Sequence, residues 1–358
     1  MKILILANND VGLYQFRREL IEALLKEHEV TISLPYGELV EPLKEMGCSF
    51  IDTPLDRRGI NPFTDLKLYR AYGKMMKTLS PDLVLTYTIK PNIYGGYACR
   101  RAKVPYCVNI TGLGTTFQNE GLLKKLVVFM YKAALKKAKT VFFENTANRD
   151  VFLQEGIVPE EKTCVLNGAG VNLEHYRVAE YPEGETTRFL FIGRVMKEKG
   201  VDELFTAMKR LVSEGYDVHL DMLGRYEEDY KAAIEENEKS GWLTYHGYQA
   251  DVRPFIAASH CFVLPSWHEG MANTNLECAA SGRPLITSDI PGCKEAVEDG
   301  KSGFLCEKQN ADSLYGKMKT FLALSYEERK QFGLCGRELT EKKFDKKSVV
   351  KTTLEHLF

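Results

Sequence analysis

The sequence predicts an α/β protein made of two doubly wound domains, each built on a parallel sheet. Three observations support this prediction. The chain has 358 residues, more than one hydrophobic core usually organises. Apolar runs of strand length alternate with amphipathic helical stretches from the first residue, as parallel strands joined by crossover helices do. A polar stretch with Pro and Gly at 178–187 interrupts the alternation, and we interpret it as the interdomain linker.

The first domain is predicted to span 1–178 and the second 179–340. The predicted strands of the first are 2–7, 30–34, 49–53, 83–87, 106–110 and 140–144, with helices that include 14–26, 66–79 and 122–137. Those of the second are 188–192, 218–223, 243–246, 261–264 and 284–287, with helices at 201–212 and 226–239. A helix at 341–358 is placed so that it can cross back to the first domain. Two Rossmann-like domains facing a cleft result, with ligands expected beyond the carboxyl ends of the strands.

Composition describes an ordinary globular protein, with 44% hydrophobic and 27% charged residues. The net charge of −1 gives no bulk attraction to nucleic acid. Charge is nevertheless uneven, because residues 1–150 carry 22 Lys and Arg against 15 Asp and Glu, whereas 151–358 carry 26 against 34. The two halves are therefore expected to face different partners.

Cysteine and histidine usage argues against disulfides and a protein-held metal. The nine cysteines form no C-x-x-C pair and mostly lie in apolar runs, which favours buried, reduced thiols in a cytoplasmic setting. The seven histidines form no H-x-x-x-H or H-E-x-x-H pattern. No apolar run approaches the ~18 residues of a membrane span, so any membrane contact is expected to be peripheral.

The most informative stretch follows the apolar run 261–264. A loop with Glu269 and Gly270 leads into a helix that carries Glu277, and such a turn points backbone N–H groups at an anion above the strand. Two carboxylates eight positions apart can flank that anion and accept hydrogen bonds from hydroxyls, as a nucleotide sugar requires. Two alternatives remain open: ordinary helix-entry and solvated charges, or the acid and base of a hydrolase. The other residues of this predicted contact are Met271, Ala272 and Asn273.

A second charged loop follows the predicted strand 188–192. After Gly193, Arg194 and Lys199 straddle a turn before the next helix, so a guanidinium and an ammonium can converge on a diphosphate. Surface charge around a loop is the alternative. Glycines also follow strands of the first domain at Gly12 and Gly112, although neither belongs to a G-x-G-x-x-G dinucleotide fingerprint.

The segment 121–139 is basic and has no acidic residue. At about 100° per residue, its lysines other than Lys137 fall on one arc, and a second arc carries apolar residues. One account is a helix whose apolar arc packs in the core beneath a solvated lysine face; the other is contact with an anionic membrane surface. The lysines assigned to the membrane account are Lys124, Lys125, Lys132 and Lys136, and the apolar arc comprises Leu122, Leu126, Phe129, Met130 and Ala133.

On Gly193-Arg194, Lys199, Glu269-Gly270 and Glu277, the chain resembles family 4 of the retaining glycosyltransferases, whose fold is called GT-B. The resemblance implies that Arg194 and Lys199 hold the donor diphosphate, Glu277 the ribose hydroxyls and Glu269 the donor sugar, with Arg194, Lys199 and Glu269 as catalytic residues. It further implies that Tyr245 and Gly247 frame the nucleobase, that Gly12 lies near the diphosphate, and that no metal or other cofactor is needed.

Shorter motifs, including Lys90-Pro91-Asn92 and Thr111-Gly112-Leu113-Gly114, resemble the bacterial branch that extends polyprenyl-diphosphate-linked sugars. This implies transfer of a hexose or N-acetylhexosamine from a UDP-sugar to such an acceptor, in capsule, O-antigen, exopolysaccharide or glycoprotein glycan assembly, at the inner face of the cytoplasmic membrane. Lys90, Thr111 and Gly112 are the expected acceptor contacts. Thr111 departs from the family, many of whose members have histidine there. A sugar-nucleotide epimerase or hydrolase and a non-catalytic sugar-binding protein are the alternatives.

Overall fold

The computed structural model describes residues 1–56, 61–114, 117 and 121–358. The chain divides into two compact units, one formed by Met1–Ala169 with Lys347–Phe358 and the other by Gly170–Lys346. The sequence boundary at 178/179 therefore falls inside the second unit. The buried Arg283 guanidinium explains the difference, since it donates to the Ala179 carbonyl at 3.1 Å and the Glu180 carbonyl at 2.6 Å and so fixes the expected linker to the second unit.

The first unit is a parallel sheet with helices in its crossovers. Its strand order is β3-β2-β1-β4-β5-β6-β7. The strands are β1 Lys2–Leu6, β2 Glu29–Leu34, β3 Ser49–Asp52, β4 Leu83–Tyr87, β5 Tyr106–Ile110, β6 Val141–Phe143 and β7 Thr163–Val165. The helices are α1 Asp10–Leu25, α2 Val40–Glu45, α3 Pro62–Leu79, α4 Gly96–Ala102, α5 Leu122–Leu135 and α6 Thr146–Gln154, and the C-terminal α13 Lys346–Leu357 joins them.

The second unit repeats the architecture with the order β10-β9-β8-β11-β12-β13. Its strands are β8 Thr187–Ile192, β9 Val218–Leu223, β10 Leu243–Gly247, β11 Cys261–Leu264, β12 Leu285–Ser288 and β13 Gly303–Cys306. Its helices are α7 Val201–Ser213, α8 Lys231–Lys239, α9 Arg253–Ala258, α10 Asn273–Ala280, α11 Ala311–Leu322 and α12 Tyr326–Lys343. The prediction of two doubly wound, Rossmann-like α/β domains is confirmed.

Local chemistry explains where several helices begin. Asn9 caps α1, its side chain accepting from the Gly12 amide at 2.6 Å, and Asn145 caps α6 in the same way. Ser325 and Glu328 form a capping box at the start of α12. The helix expected at 226–239 begins only at Lys231, and the helix expected at 341–358 is divided between α12 and α13.

The nine cysteines are free thiols, and eight of them are buried, as the sequence predicts. Within the described ranges, no helix is long and apolar enough to cross a bilayer. Also within those ranges, no three His, Cys, Asp or Glu side chains are grouped as metal ligands are.

Candidate active site

The two charged loops that the sequence singles out leave neighbouring strands of the second sheet. β8 and β11 pair in parallel, with Phe189 opposite Cys261 and Leu190 opposite Phe262. Their carboxyl ends therefore lie side by side, and the loops that follow them begin together. This pair is also the point where the strand order reverses, the position at which open parallel sheets bind ligands.

Hydrogen bonds join the two loops. The Trp267 amide donates to the Glu198 carbonyl at 2.9 Å, and the Ser266 hydroxyl donates to the same carbonyl at 3.2 Å. The Lys199 ammonium forms an ion pair with the Glu269 carboxylate, and their side chains are only 16% and 12% exposed. The structure therefore places together two of the predicted site residues, and Glu269 holds the ammonium at the carboxyl edge of the sheet.

Glycines allow the close backbone contacts around these loops. A Cβ at Gly200, whose φ is +75°, would lie 2.1 Å from the Pro265 carbonyl oxygen. A Cβ at Gly292, whose φ is +87°, would lie 2.8 Å from the Glu269 carbonyl oxygen and 2.7 Å from that of Gly270. Since real Cβ atoms do not approach so closely, both positions require glycine for this arrangement of the loops.

Arg194 lies on the same edge but has a looser environment. Its side chain is 47% exposed, and its guanidinium is 3.8 Å from the Glu227 carboxylate. Gly193 before it is packed against the next loop, because a Cβ at Gly224 would lie 1.7 Å from the Gly193 carbonyl oxygen. The backbone around Arg194 is thus fixed while the guanidinium remains accessible to an anion.

Helix α10 presents its N-terminus at this edge. The Ala272 amide donates to the Gly292 carbonyl at 2.7 Å, and in the described part of the chain no side chain caps the helix. Met271 and Ala272 are buried, and Asn273 opens the first turn. The positive end of the helix dipole and its first amides therefore face the loop of Glu269, an arrangement that favours an anion.

Glu277 lies one turn further along α10 and is partly buried. Burial raises the pKa of its carboxyl group to about 7, while a hydrogen bond from the Tyr176 hydroxyl and the positive charge of Lys346 act in the opposite direction. Glu277 can therefore accept hydrogen bonds as a carboxylate near neutral pH, but loses its charge in mild acid. The sequence reasoning did not identify Tyr176 or Lys346, which lie far from Glu277 along the chain.

Tyr245 and Gly247 lie at the end of β10, beside the Gly224 loop. The Tyr245 hydroxyl donates to the Gly224 carbonyl at 2.6 Å, and its ring is 4.8 Å from that of Tyr226. Gly247 has a φ of +66°. Tyr245 and Tyr226 thus form an aromatic corner at the end of β10, which is separated from β8 by β9. The exposed Tyr248 also lies here, and the Arg225 guanidinium is 4.4 Å from the centre of its ring.

In the first unit, Gly12 lies in the first turn of α1 and not in a loop before it; α1 follows β1 at the reversal of strand order, between β1 and β4. The Gly12 amide is bound by the Asn9 side chain, and a Cβ at Gly12 would meet that side chain at 3.2 Å. Thr111 and Gly112 follow β5, and Gly112 has a φ of +152°. These predicted contacts belong to one sheet edge.

Lys90 is not an ordinary exposed lysine, because its side chain is only 15% exposed. Its ammonium donates to one Asp65 carboxylate oxygen at 2.7 Å, and the Tyr94 hydroxyl donates to the other at 2.9 Å. An acceptor phosphate at Lys90 would therefore share the ammonium with Asp65.

The account of α5 as a helix whose apolar arc packs in the core is wrong for Leu122, Leu126 and Phe129, whereas Met130 of the same arc is partly buried against the core. The side chains of Leu122, Leu126 and Phe129 are 86%, 52% and 67% exposed. A third arc packs instead, namely Val128, Tyr131, Ala134 and Leu135. The helix therefore has more apolar residues than one face can bury.

The lysines of α5 also divide. Lys125, Lys132 and Lys136 are exposed, next to the apolar arc in angle. Lys124 is 13% exposed and its ammonium is 3.1 Å from the Glu155 carboxylate. The exposed face of α5 is therefore an apolar stripe bordered by three lysines, and we call it the α5 face.

Both halves of the chain match glycosyltransferase family models. Residues 2–145 match the model described as glycosyl transferase 4-like, and residues 186–323 match that of glycosyl transferases group 1. The chain belongs to the family 4 glycosyltransferases. The first match covers β1 to β6 of the first unit, and the second covers every strand of the second unit from Thr187 onwards, including both charged loops.

Curated relatives of this glycosyltransferase are enzymes of the same class. The N,N'-diacetylbacillosaminyl-diphospho-undecaprenol alpha-1,3-N-acetylgalactosaminyltransferase of Campylobacter jejuni is 29% identical over 341 residues, which cover 90% of this chain and 89% of that one. The UDP-Gal:alpha-D-GlcNAc-diphosphoundecaprenol alpha-1,3-galactosyltransferase of Escherichia coli is 28% identical, with coverages of 77% and 75%. Anabaena HepE, solved with UDP and glucose, superposes with a TM-score of 0.83 at 17% identity and covers 100% of this chain and 99% of its own, so the GT-B fold is confirmed.

Proposed function

We propose that this glycosyltransferase moves a hexose or N-acetylhexosamine from a UDP-sugar to a polyprenyl-diphosphate-linked sugar, with retention of configuration and without a metal. The observation that carries the proposal is the Lys199–Glu269 pair at the junction of the two charged loops, beside the uncapped start of α10. The similar enzymes of Campylobacter jejuni and Escherichia coli, both described as acting on diphospho-undecaprenol-linked sugars, support the acceptor class.

In the proposed donor complex, Arg194 and Lys199 bind the diphosphate. Arg194 is accessible and only loosely paired, so its guanidinium can turn from Glu227 to a phosphate. Lys199 is already oriented by Glu269, and the N-terminus of α10 adds the helix dipole. Glu277 accepts from the ribose hydroxyls, Tyr245 and Gly247 border the base, and Gly12 approaches the diphosphate.

The proposed chemistry needs no protein nucleophile. The bond between the anomeric carbon and the UDP oxygen breaks first, and Arg194 with Lys199 stabilises the charge that develops on the leaving diphosphate. The acceptor hydroxyl then bonds to the anomeric carbon from the face that UDP leaves, and its proton passes to a phosphate oxygen of UDP. Two protein cations supply the countercharge that a divalent metal supplies in other transferases, which is our reason for proposing independence from metal.

The proposed acceptor side is the edge of the first sheet that carries Lys90, Thr111 and Gly112. The Lys90 ammonium is held by Asp65 and is partly accessible, so it can bind one acceptor phosphate oxygen. The small Thr111 side chain leaves more space than the histidine common in the family, and the acceptor or donor sugar can occupy that space.

We further propose that the α5 face attaches the enzyme to the inner surface of the cytoplasmic membrane, where a lipid-linked acceptor is reached. Leu122, Leu126 and Phe129 offer apolar side chains to the acyl boundary, and Lys125, Lys132 and Lys136 offer charge to anionic headgroups. Each such lysine contributes about 1 kcal/mol near an anionic surface. Lys124 is excluded from this role, since its ammonium pairs with Glu155.

The proposal is tested in two stages. Thermal shift with a panel of UDP- and GDP-sugars identifies the donor, because a ligand of the native state raises the melting temperature. The selected donor is then incubated with a short-chain polyprenyl-diphosphate N-acetylhexosamine, and mass spectrometry follows the acceptor. We expect the acceptor to gain one sugar, in EDTA as well as in Mg²⁺. An epimer or free sugar formed from the donor alone, with no acceptor product, would overturn the proposed transfer.

A further inference from the structure

Trp267 lies where the two charged loops meet, and its contacts join the loop after β11 to the turn after β8. Its amide donates to the Glu198 carbonyl at 2.9 Å. Its indole N–H donates to a Glu203 carboxylate oxygen at 3.2 Å, and Glu203 lies in the first turn of α7. The Lys197 ammonium is 5.7 Å from the centre of its ring, within the range of a cation–π contact. One residue of the Glu269 loop is therefore connected to the neighbouring loop at three points.

These contacts are part of a regular series between the loops. Three successive residues of one loop meet three successive residues of the other in the same order, namely Lys197 with Trp267, Glu198 with His268 and Lys199 with Glu269. In the middle pair, His268 Nε2 is 3.0 Å from the Glu198 carboxylate, although without the alignment of a hydrogen bond. The register of the loops is therefore determined mainly by Trp267 on one side and by the Lys199–Glu269 pair on the other.

The Lys199–Glu269 pair depends on this register. Its side chains are 16% and 12% exposed, and an ion pair so removed from water offsets its desolvation only when its geometry is good. A displacement of either loop by one residue would separate the ammonium from the carboxylate. Trp267 opposes such a displacement, because its indole is bound to Glu203 of α7, a helix that packs in the hydrophobic core of the unit.

We propose that Trp267 is a positioning residue for the donor site, which holds the two loops in the register that places the Lys199 ammonium against the donor diphosphate. The inference rests on the donor assignment made above. The hydrogen bonds of Trp267 are directed at Glu198 and Glu203, so it acts through Lys199 and not by contact with the nucleotide. The Lys199 ammonium has three N–H donors and uses one of them on Glu269, which leaves two for phosphate oxygens.

The test measures binding to the full-length protein, of UDP by calorimetry and of uridine by competition with UDP. Trp267→Leu should weaken UDP binding about tenfold, the loss expected when one hydrogen bond to a charged group is misplaced. Uridine has no phosphate, so its affinity should not change. In protein that already carries Lys199→Ala, Trp267→Leu should have no further effect on UDP, because the two substitutions remove the same contact.

Glu203 supplies a second pair of variants. Glu203→Gln keeps an oxygen that can accept from the indole N–H, so it should preserve UDP affinity. Glu203→Leu removes that acceptor while Trp267 stays in place, and it should weaken UDP binding but not uridine binding. This pair provides the same test if Trp267→Leu does not fold.

A matched control is the other tryptophan of the unit. Trp242 is 5% exposed in the hydrophobic core, where its ring is 6.2 Å from that of Phe205. Trp242→Phe should leave the affinities for UDP and uridine unchanged.

Three results would refute the role of Trp267. They are wild-type UDP affinity in folded Trp267→Leu protein, an equal loss for UDP and uridine, and an undiminished effect of Trp267→Leu in protein that carries Lys199→Ala. Failure of Lys199→Ala alone to weaken UDP binding would instead refute the donor assignment, whatever the Trp267 variants show.

Discussion

The clearest energetic consequence of the site concerns Glu277→Gln. Burial raises the pKa of Glu277 from 4.5 to about 7, so between these pH values the folded protein holds a proton that the unfolded chain has released. Stability linked to this group is therefore present below pH 4.5 and is lost as pH rises to about 7. At 1.36 kcal/mol per pH unit, the total loss is about 3 kcal/mol.

Glutamine does not titrate, so the free energy of unfolding of the variant should not fall with rising pH through this group. The free energy of unfolding of Glu277→Gln minus that of the wild type should increase by about 2 to 3 kcal/mol between pH 5 and pH 8. The variant should at the same time lose most of its UDP affinity, because an uncharged amide is a weaker acceptor for ribose hydroxyls. Opposite effects of one substitution, a gain in stability and a loss of ligand affinity, are typical of a binding-site residue that destabilises the folded protein.

Urea unfolding followed by tryptophan fluorescence measures this difference. The two tryptophans, Trp242 and Trp267, both lie in the second unit, so the signal reports the unit that contains Glu277. Glu45→Gln, at an exposed carboxylate of α2, is the control substitution. A stability difference that stays constant from pH 5 to pH 8 would contradict the raised pKa of Glu277, because its carboxyl group would then ionise in the folded protein as easily as in the unfolded chain.

Three other predictions concern the two charged loops and the α5 face. Arg194→Ala and Lys199→Ala should each reduce the rate of sugar transfer at least tenfold in steady-state assays with folded protein, a loss of about 1.4 kcal/mol of transition-state stabilisation. Lys209→Ala on α7 is the control. Near-normal turnover by the Arg194 and Lys199 variants would show that these residues do not belong to the site. Gly292→Ala should weaken UDP binding, because the added Cβ displaces the backbone of Glu269. Gly241→Ala is the control and should not weaken it, since Gly241 has a similar φ of +82° and its added Cβ would have no described atom within 4 Å. Equal UDP affinity in the two variants would contradict the contact between Gly292 and the Glu269 loop. Replacing Lys125, Lys132 and Lys136 together with Gln should weaken co-sedimentation with anionic vesicles about a hundredfold, at about 1 kcal/mol per lysine. Replacement of Lys231, Lys239 and Lys330 of the second unit with Gln is the matched control. Unchanged co-sedimentation of the α5 variant would show that the α5 face is a solvated surface that does not bind the membrane.

The sequence was sufficient for the fold because alternating strands and helices leave a strong local signal. It also located the junction of the two loops, since Lys199 and Glu269 each follow a strand and parallel strands bring such positions to one edge. The boundary between the units was misplaced because a Pro- and Gly-rich segment has the composition of a linker even when a buried arginine fixes it to one unit.

The residues that sequence reasoning missed act through contacts between distant segments. Gly292 has ordinary neighbours along the chain, and its role follows only from its close packing on the Glu269 and Gly270 carbonyls. On α5, helical periodicity separated apolar from basic residues correctly but could not say which of two apolar arcs is buried. That choice depends on the shape of the surface beneath the helix.

The most direct test of the donor site is a crystal structure of the enzyme with UDP. We expect the diphosphate oxygens to lie within hydrogen-bonding distance of the Arg194 guanidinium and the Lys199 ammonium, and the ribose hydroxyls to donate to the Glu277 carboxylate. A diphosphate bound away from both cations, or a ribose that does not contact Glu277, would contradict this donor site.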